Sequence, residues 1–532
     1  MLFRASCKPV RAFMAFVLLG NDGDVDNRPG KQASTVFSIS FRGNSSYKGA
    51  PLNSSSGSTR TAAAACHRCF RAFALLCLFV VALACQAQRS ATVTIDPSHL
   101  LGEVAPAAYG VGMSVYDNNF TPTDLPTKLK AAGVSALRYP GGSYSDIYHW
   151  QTHAATPGQN IYINPNDTFD NFMTRDAIPS GALPIITVNY GSNRDATGGG
   201  DPAEAAAWVR YANVEKKWNV RYWEIGNEVG GNGFFGKNGW ELDLHLLSQD
   251  RDKRLGDPAL SMDAYGKNAL LFIAAMKAVD PSIKVGVGVD FDDMSSPPHD
   301  APLLKRVGDK ADFIIVHWYP HGSDADISVT DQIKPRVEEL RKRLAQYAGP
   351  AMRNVPIAIT ETNGGGAGAS RALFATDTFL TWFEAGAFNV EWQEMHNGFL
   401  ADHANVPDDT PAEAYYGMQM AALAARPGDL MIEAQSSASF IGAHAVKRKD
   451  GGIALVLLNR HPNQPYEIKI VVPGIQMPTE VTRYDFGRAN FSFNSSWPTS
   501  GPQKSTIDNL GGEFRIVLPA FTETVLIVPP QQ

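Results

Sequence analysis

Cysteine is absent from the chain beyond residue 85, and this absence excludes several kinds of chemistry from most of the molecule. All five cysteines lie between residues 7 and 85, so the remainder holds no disulfide, thiolate nucleophile or cysteine-ligated metal. Cys66 and Cys69 have no second pair at zinc spacing, and we interpret their own spacing as chance. A chain of 532 residues is long enough to bury a large core without such links.

Long hydrophobic runs are scarce as well. The apolar run over residues 72–84 is too short to cross a bilayer comfortably, but it has the length of a signal-peptide core. Two arginines precede it and a polar segment follows it, so we expect a signal peptide over 70–87 and a secreted or periplasmic protein with no integral membrane span after its removal. A lipid attached to Cys85 is the alternative outcome. Residues 1–69 are expected to be disordered or an over-extended translation start.

Basic residues are fewer than acidic residues outside the first 90 residues. Those residues carry eleven Lys and Arg against three Asp and Glu, which leaves 36 basic and 50 acidic groups in the rest, a net charge of −14. Such a surface repels phosphate backbones, so nucleic acid is not an expected partner. With 44% apolar and 19% charged residues, the chain has the composition of an ordinary globular protein.

The segment 105–425 repeats one theme, a short apolar run that ends in polar or aromatic residues, followed by a longer helical pattern. Apolar spacing near 3.6 predicts helices over 202–218, 264–279 and 332–347. Eight alternating units predict an α/β fold, a closed (β/α)8 TIM barrel rather than a doubly wound open sheet. The eight runs are Tyr109–Met113, Ala136–Tyr139, Pro184–Asn189, Arg221–Glu228, Ile283–Val289, Phe313–Tyr319, Ile357–Glu361 and Asn389–Met395.

The remaining segment, 426–532, consists of short apolar runs separated by glycine, proline and asparagine turns. This pattern predicts a C-terminal antiparallel β-sandwich. Residues 88–104 are expected to be a linker and a strand that joins this sandwich, with the strand over 92–95. The other strands predicted here are Ile453–Asn459, Glu467–Val472, Glu513–Leu518 and Thr522–Val528.

Polar residues that end the apolar runs carry the most functional weight, because the active sites of such barrels lie at the carboxyl ends of the strands. The fourth run ends at Glu228 and the seventh at Glu361, so two carboxylates are expected at one mouth. Glycosidic cleavage needs such a pair, since one protonates the departing oxygen and the other stabilises or attacks the anomeric carbon. Arg138 and Tyr319 end two further runs and are candidates for holding Glu361 ionised. Asn189, which ends the third run, is a substrate-binding candidate.

Four motifs together resemble the retaining glycoside hydrolases of clan A, and within that clan the family 51 α-L-arabinofuranosidases. The motifs are Arg138-Tyr-Pro-Gly-Gly142, Trp223-Glu-Ile-Gly-Asn-Glu228, His317-Trp-Tyr319 and Thr360-Glu361. Their order, the barrel and the trailing sandwich match that family from about residue 91 to the end of the chain.

The resemblance implies the role of each residue at the site. Glu228 would be the acid/base, Glu361 the nucleophile, and Asn227 the residue that binds the 2-hydroxyl of the sugar. The resemblance also gives supporting roles to four further residues. His317 would support the proton transfer and Tyr319 the nucleophile, while Trp392 and Gln393 would contact the sugar. Such a reaction requires no metal ion and no organic cofactor.

Two departures from the family pattern concern the sugar-binding positions. In the arabinofuranosidases a Glu near the end of strand one and an Asn after the Pro-Gly-Gly turn grip the furanose, whereas the corresponding positions here are Ser114 and Ser143. The Trp that usually follows the nucleophile is replaced within residues 362–367. Retaining hydrolysis is therefore predicted more firmly than arabinose specificity.

Several residues have alternative interpretations. Glu224 is interpreted as a structural partner buried among barrel side chains, while Glu391 or Glu394 would replace Glu361 as nucleophile if the assumed strand register were wrong. His149 and His153 have helical spacing but lack the glutamate of a zincin motif, so no metal site is expected. The tryptophans considered for stacking on a sugar face are Trp150, Trp318 and Trp392.

These observations predict an exported retaining glycoside hydrolase that resembles the arabinofuranosidases and acts on plant-type polysaccharides or oligosaccharides. Relatives with β-xylosidase, endo-glucanase, xylanase or β-glucuronidase specificity stay open, and so does the oligomeric state. A carbohydrate-binding protein that keeps the barrel without turnover is the alternative from another class. The segment 229–263, which follows the acid/base candidate, is long for a connection and is expected to shape the substrate cleft.

Overall fold

The computed structural model describes residues 89–530 except for 119, 121, 232–240, 246–257, 321–326, 402–406, 475–479, 493–496 and 509–512. The segments proposed as an over-extended start and a signal peptide, and Cys85 with them, lie outside the described residues. Within the described part of the chain, no helix combines the length and the apolar character needed to cross a membrane.

Eight parallel strands close a barrel in which neighbours follow chain order, and this confirms the predicted fold class. Their side chains are almost all buried, because helices cover the outer face and neighbouring strands fill the inside. The barrel strands are β2 (Tyr109–Gly112), β3 (Ala136–Tyr139), β6 (Leu183–Val188), β7 (Tyr222–Ile225), β8 (Lys284–Val289), β9 (Phe313–Trp318), β10 (Ile357–Thr362) and β11 (Ala387–Trp392).

The amino-terminal end of the barrel is filled by aromatic rings. The rings of Tyr222 and Phe388 lie 5.2 Å apart between centroids, and Phe313 meets Phe388 edge-on at 5.4 Å. Because these residues stand at the first or second position of their strands, they pack the interior at that end. Polar side chains that point inward are therefore concentrated at the opposite, carboxyl end.

Several helices cover the barrel with one apolar face, whereas the helix Ala369–Glu384 is buried on all sides from Ala372 onward. In the helix Ile333–Tyr347 the buried residues Ile333, Val337, Leu340 and Leu344 recur at the spacing of one helical face. The pattern predicted over 202–218 is divided, since its α-helix ends at Val209 and a π-helical segment follows it. The helices are α1 (Leu125–Ala132), α2 (Phe169–Asn171), α3 (Ile178–Ser180), α4 (Pro202–Val209), α5 (Pro258–Val279), α6 (Ala301–Val307), α7 (Ile333–Tyr347), α8 (Ala369–Glu384) and α9 (Glu413–Ala424).

A second, nine-stranded sheet follows the barrel in sequence and takes in one strand that precedes it. The amino-terminal strand pairs antiparallel with Leu430–Ser436 and parallel with Tyr466–Val471, so the sheet is mostly rather than wholly antiparallel. Strands from both ends of the sheet order share one apolar core, as in a sandwich. The strands are β1 (Arg89–Glu103), β12 (Leu430–Ser436), β13 (Ile441–Lys447), β14 (Ile453–Asn459), β15 (Tyr466–Val471), β16 (Glu480–Gly487), β17 (Gln503–Asp508), β18 (Arg515–Leu518) and β19 (Thr522–Val528), and a small hairpin is formed by β4 (Tyr148–His149) and β5 (Ala154–Ala155).

A buried ion network joins helix α8 of the barrel to this sheet. The imidazole of His444 on β13 hydrogen-bonds Asp377 through Nε2 and Glu384 through Nδ1, both at 2.9 Å. Arg460 donates from Nη2 to Asp377 Oδ2 at 2.6 Å. Burial opposes the charged imidazole, but the two carboxylates outweigh it and raise the pKa of His444 to about 9.

The raised pKa of His444 predicts a loss of stability at alkaline pH. Folding with a protonated His444 contributes about 3 kcal/mol below the unfolded pKa of about 6.5, and this contribution disappears as the pH rises through about 9. We expect Tm to fall between pH 7 and pH 10 in the native protein and to fall less in His444→Gln, which has no such proton to lose. Parallel Tm curves for the two proteins, measured by calorimetry, would contradict this assignment.

Candidate active site

The two predicted carboxylates meet at the carboxyl end of the barrel. Glu361 lies in β10, and Glu228 follows β7. One oxygen of each carboxylate and one ring nitrogen of His317 all lie within 4.8 Å of one another. The register of the barrel brings this about, because His317 is paired with Glu361 across β9 and β10.

Glu361 is held by two hydrogen-bond donors. Arg138 donates from Nη1 to Oε1 at 2.7 Å, and the hydroxyl of Tyr319 donates to Oε2 at 2.6 Å. Burial and the adjacent carboxylates, that of Glu361 first among them, raise the pKa of the Tyr319 hydroxyl, so it remains a donor at any working pH. Each oxygen of Glu361 therefore receives a hydrogen bond, as expected for a carboxylate that reacts in its ionised form.

Arg138 connects this carboxylate to the rest of the site. Its guanidinium is fully buried, and it also donates from Nε to Glu224 Oε2 at 2.7 Å and from Nη2 to Asn227 Oδ1 at 2.8 Å. Although burial acts in the opposite direction, the carboxylates of Glu224 and Glu361 raise the pKa of Arg138, so its charge is permanent. Nearby, burial raises the pKa of Glu391 well above its ordinary value, which favours the protonated form of this carboxyl group.

Glu228 is presented by a strained turn. Gly226 has a φ of +69°, and Glu228 itself has a φ of +37°, a value that is rare outside glycine. Asp146 holds the turn from behind, since its carboxylate accepts hydrogen bonds from the backbone N–H of Asn227 at 2.9 Å and of Tyr190 at 3.0 Å. Burial raises the pKa of Asp146 to about 7. The backbone position of Glu228 is therefore fixed by buried hydrogen bonds.

His317 lies between the two carboxylates. Its Nδ1 hydrogen-bonds Glu228 Oε1 at 2.9 Å, and its Nε2 hydrogen-bonds the hydroxyl of Thr360 at 3.2 Å. Burial disfavours the imidazolium, but the charges of Glu361 and Glu228 prevail and raise the pKa of His317 above its ordinary value. A proton is therefore favoured on the Glu228–His317 pair, where it can be transferred to an oxygen bound at the site.

Asn227 and Gln393 also border the site. Both ends of the Asn227 amide are engaged, because Oδ1 accepts from Arg138 and Nδ2 donates to Glu241 Oε1 at 2.9 Å. A Cβ atom added to Gly142 would lie 3.8 Å from Gln393 Nε2 and 3.9 Å from Glu361 Oε1. The Gln393 amide and the carboxylate of Glu361 therefore face the same glycine of the Pro-Gly-Gly turn.

Three other candidates lie away from this group. Trp392 points outward to helix α8, because alternation along a barrel strand turns its neighbours inward instead. Its side chain is 1% exposed, and its ring N–H donates to Asn397 O. Trp318 is buried against Phe374 for the same reason. Asn189 starts the loop after β6, where its amide donates to the backbone oxygen of Tyr148. These three side chains are buried in this geometry, and their sugar contacts stay predictions.

One buried and one half-buried carboxylate lie beside the two unusual serines. Ser143 donates to Glu241 Oε1 at 2.5 Å, and burial raises the pKa of Glu241 well above its ordinary value. Ser114 hydrogen-bonds Glu394, which also accepts from the Tyr116 hydroxyl at 2.7 Å. Sequence reasoning missed Glu241, because it lies in the long segment 229–263 and follows no strand. Glu394 contacts Ser114 and Tyr116 rather than Arg138, so it does not take the place of Glu361.

A cavity of about 590 Å³ opens beside Glu228, on the side of β7, β8 and β9. Its walls include Glu228, His317 and Tyr319, so the acid/base candidate and the cavity share one space. Apolar side chains supply most of the remaining wall, among them Met262 and Phe291. The site thus has a fixed carboxylate, Glu361, on one side and a partly open, largely apolar cavity on the other.

Glu228, His317 and Glu361 are also close enough together to hold a metal ion, and among the described residues no other group of three has this property. The chemistry of the donors does not fit such an ion. Arg138 and Tyr319 already hydrogen-bond both oxygens of Glu361, and the permanent positive charge of Arg138 repels a cation. The arrangement suits acid–base and nucleophilic chemistry instead.

Comparison of the sequence with known proteins finds α-L-arabinofuranosidases. No family model matches the chain. It is 24% identical over 236 residues to a probable α-L-arabinofuranosidase C of Aspergillus niger, an alignment covering 37% of this chain and 41% of that protein. The chain thus spans less than half the length of this curated relative.

Solved structures share the whole architecture. The α-L-arabinofuranosidase of Thermotoga maritima, in an arabinose complex, matches with a TM-score of 0.65 at 19% identity and covers 83% of this chain and 100% of that one. CelM2, a bifunctional glucanase-xylanase from a metagenome library, gives 0.61 at 16% identity, with 83% and 100% covered. Identities this low establish a common fold only. In sequence and fold together, the protein resembles the glycoside hydrolases of clan A, and within that clan the family 51 α-L-arabinofuranosidases.

Proposed function

We propose that the protein is a retaining glycoside hydrolase of the α-L-arabinofuranosidase kind. The observation that carries this proposal is the approach of Glu228 and Glu361, whose nearest oxygens lie within 4.8 Å of each other. Retaining enzymes place their two carboxyl groups about 5 to 5.5 Å apart, and inverting enzymes need about 6.5 to 9.5 Å to admit a water between them. The short separation favours retention.

The proposed reaction has two displacements. Glu361 Oε attacks the anomeric carbon, the bond to the glycosidic oxygen breaks, and Glu228 gives its proton to that oxygen, which leaves as an alcohol. Glu228 then removes a proton from water, which attacks the same carbon, releases the sugar and restores the carboxylate of Glu361. Tyr319 and Arg138 hold Glu361, while His317 exchanges a proton with Glu228.

The name of the Aspergillus relative supports an arabinofuranoside as substrate. That this sugar is carried on plant-type polysaccharides or oligosaccharides is part of the proposal. Ser114 and Ser143 stand where the arabinofuranosidases have Glu and Asn, and the glucanase-xylanase CelM2 shares the fold, so xylosides, glucans and glucuronides are the competing substrates. The apolar run at 72–84 supports export of the enzyme.

The proposal is tested with aryl arabinofuranoside, xyloside, glucoside and glucuronide and with Glu228→Ala. We expect the aryl arabinofuranoside to be hydrolysed to a product that NMR first detects with the substrate's anomeric configuration. In Glu228→Ala, kcat for a glycoside with an unactivated leaving group should fall by about 10²- to 10⁴-fold, because no acid protonates the departing oxygen. A dinitrophenyl glycoside, whose leaving group needs no proton, should be much less affected in the first step.

Glu338→Gln provides the control, since Glu338 is an exposed residue of helix α7 that forms an ion pair with Arg353 at the surface. This variant should retain full activity. A first-formed product of opposite anomeric configuration would exclude retention, and binding of glycans without hydrolysis of any panel member would indicate the non-catalytic alternative.

A further inference from the structure

The cavity beside Glu228 lies on the side of the site from which the leaving group of the substrate departs. In the proposed reaction the bond that breaks joins the anomeric carbon, in front of Glu361, to an oxygen that Glu228 protonates. The departing group must therefore extend from the Glu228 side, where the cavity of about 590 Å³ begins. Its position makes it the space for the leaving group rather than for the sugar that Glu361 attacks.

The wall of this cavity is apolar and mostly rigid. Met262 from helix α5 and Phe291 after β8 are 4% and 5% exposed, and Phe291 packs against Trp382 with ring centroids 5.3 Å apart. Val229 lies next to the acid/base in sequence and is also buried. By contrast, the side chain of Met294 is 73% exposed and stands on the wall without burial in the protein. A sugar, with hydroxyls around its ring, would leave hydrogen bonds unmade against most of this surface.

The polar part of the wall carries negative charge. Asp290, Asp292 and Asp293 follow β8 and line the cavity, and of these Asp292 forms an ion pair with Arg336. Burial raises the pKa of Asp290, whereas for Asp293 hydrogen bonds from Ser295 and the backbone of His299 outweigh burial and lower the pKa, so Asp293 is ionised. An anionic group entering the cavity would meet this charge at low effective dielectric. The cavity therefore selects against acids.

We infer that the cavity is a leaving-group pocket for a neutral, apolar ring, so that glycosides of apolar aglycones are cleaved in preference to glycosides whose leaving group is small or acidic. This inference rests on the proposed function for the hydrolysis itself, and for the leaving group it replaces the sugar of a polysaccharide or oligosaccharide by an apolar aglycone. The ring of the aglycone would lie between Met262 and Phe291, with Met294 on the open side.

The test compares leaving alcohols of similar intrinsic reactivity on the sugar that the panel above identifies. Methyl, hexyl, 2-phenylethyl, benzyl and 4-carboxybenzyl glycosides are supplied to the native enzyme. We expect kcat/KM for the 2-phenylethyl glycoside to exceed that for the methyl glycoside by on the order of tenfold or more, the usual effect of filling an apolar pocket. The benzyl glycoside should exceed its 4-carboxybenzyl analogue by a similar factor.

Met262→Ala and Leu271→Ala form a matched pair of variants on helix α5. Met262 lines the cavity, whereas the Leu271 side chain is 55% exposed outside it. The ratio of 2-phenylethyl to methyl kcat/KM should fall several-fold in Met262→Ala and stay at the native value in Leu271→Ala. Because the readout is a ratio within one protein, a general loss of folded enzyme does not affect it.

The outcomes separate the two proposals. If kcat/KM does not depend on the size and charge of the leaving group, or if the 2-phenylethyl to methyl ratio is equal in both variants, the leaving-group pocket is wrong. The proposed hydrolase function is not affected by that result. If no glycoside is hydrolysed, the proposed function is wrong. Binding of 2-phenylethanol, measured by saturation-transfer NMR, then still tests whether the cavity binds an apolar ring. Binding that is weakened in Met262→Ala but not in Leu271→Ala supports it, and binding that is absent or equal in all three proteins overturns it.

Discussion

Replacement of Glu361 by glutamine is expected to lower kcat by on the order of 10⁴-fold, or more than about 5 kcal/mol of transition-state stabilisation. Glutamine keeps the size of the side chain but cannot form the bond to the anomeric carbon. The hydrogen bond from Tyr319 and the charge of Arg138, which hold a carboxylate in the native enzyme, would face a neutral amide. The measurement is steady-state hydrolysis of the best aryl glycoside of the panel.

Azide distinguishes a lost nucleophile from a merely distorted site. In Glu361→Ala, azide enters the space of the missing carboxylate, attacks the anomeric carbon of an activated aryl glycoside and expels its phenolate. The product should be a glycosyl azide of inverted configuration, identified by NMR. Absence of any rescue, together with native activity in Glu361→Gln, would assign the nucleophile elsewhere.

Glu391→Gln is the matched control for this prediction, because the sequence offers Glu391 as an alternative nucleophile. Burial raises the pKa of its carboxyl group well above the ordinary value and so favours a neutral side chain in the native enzyme. Glutamine reproduces that neutral group in size and charge. We expect kcat to stay within a few-fold of native, and a loss as large as that of Glu361→Gln would exchange the roles of the two residues.

The second large effect concerns stability. Replacement of Arg138 by methionine should lower the free energy of unfolding by about 3 to 5 kcal/mol, because it leaves carboxylates that were paired without their buried partner. Glu224 and Glu361 each accept a 2.7 Å hydrogen bond from this guanidinium, and Asn227 accepts a third. Urea unfolding followed by tryptophan fluorescence measures the change.

The pH dependence of this loss gives its cause. In Arg138→Met the deficit relative to the native protein should shrink from pH 7 toward pH 4, since a carboxyl group that takes up a proton needs no opposite charge. Arg138→Lys should recover part of the stability, because a lysine restores the charge but not three donors in one plane. A deficit that is equal at both pH values would point to lost packing instead of lost charge.

Some contacts of the site could be predicted from the sequence because they follow from strand ends. Arg138, Glu228, Tyr319 and Glu361 each stand at or just after the end of an apolar run, and a closed parallel barrel brings all such ends to one rim. The hydrogen bonds from Arg138 and Tyr319 to Glu361 are where this reasoning placed them. The role of Glu224 as a buried partner follows from alternation along β7.

Other features carry no such signal. Glu241 reaches Asn227 from a segment without periodicity, and only the folded path of that segment brings the two together. Strand β17 is exposed along most of its length, so no apolar pattern marks it. The side to which Trp392 turns depends on where its strand starts, and a shift of one residue reverses it.

The sequence by itself determined the alternation of strands and helices, the two carboxylates at strand ends and the cationic and hydroxyl partners of one of them. These depend on local periodicity and on a topology with one solution for eight such units. Only the tertiary structure decided that the carboxylates approach within 4.8 Å, that acids stand beside Ser114 and Ser143, and that a largely apolar cavity adjoins Glu228. Distances and cavities arise from side chains far apart in sequence, and their packing is fixed by the whole core at once.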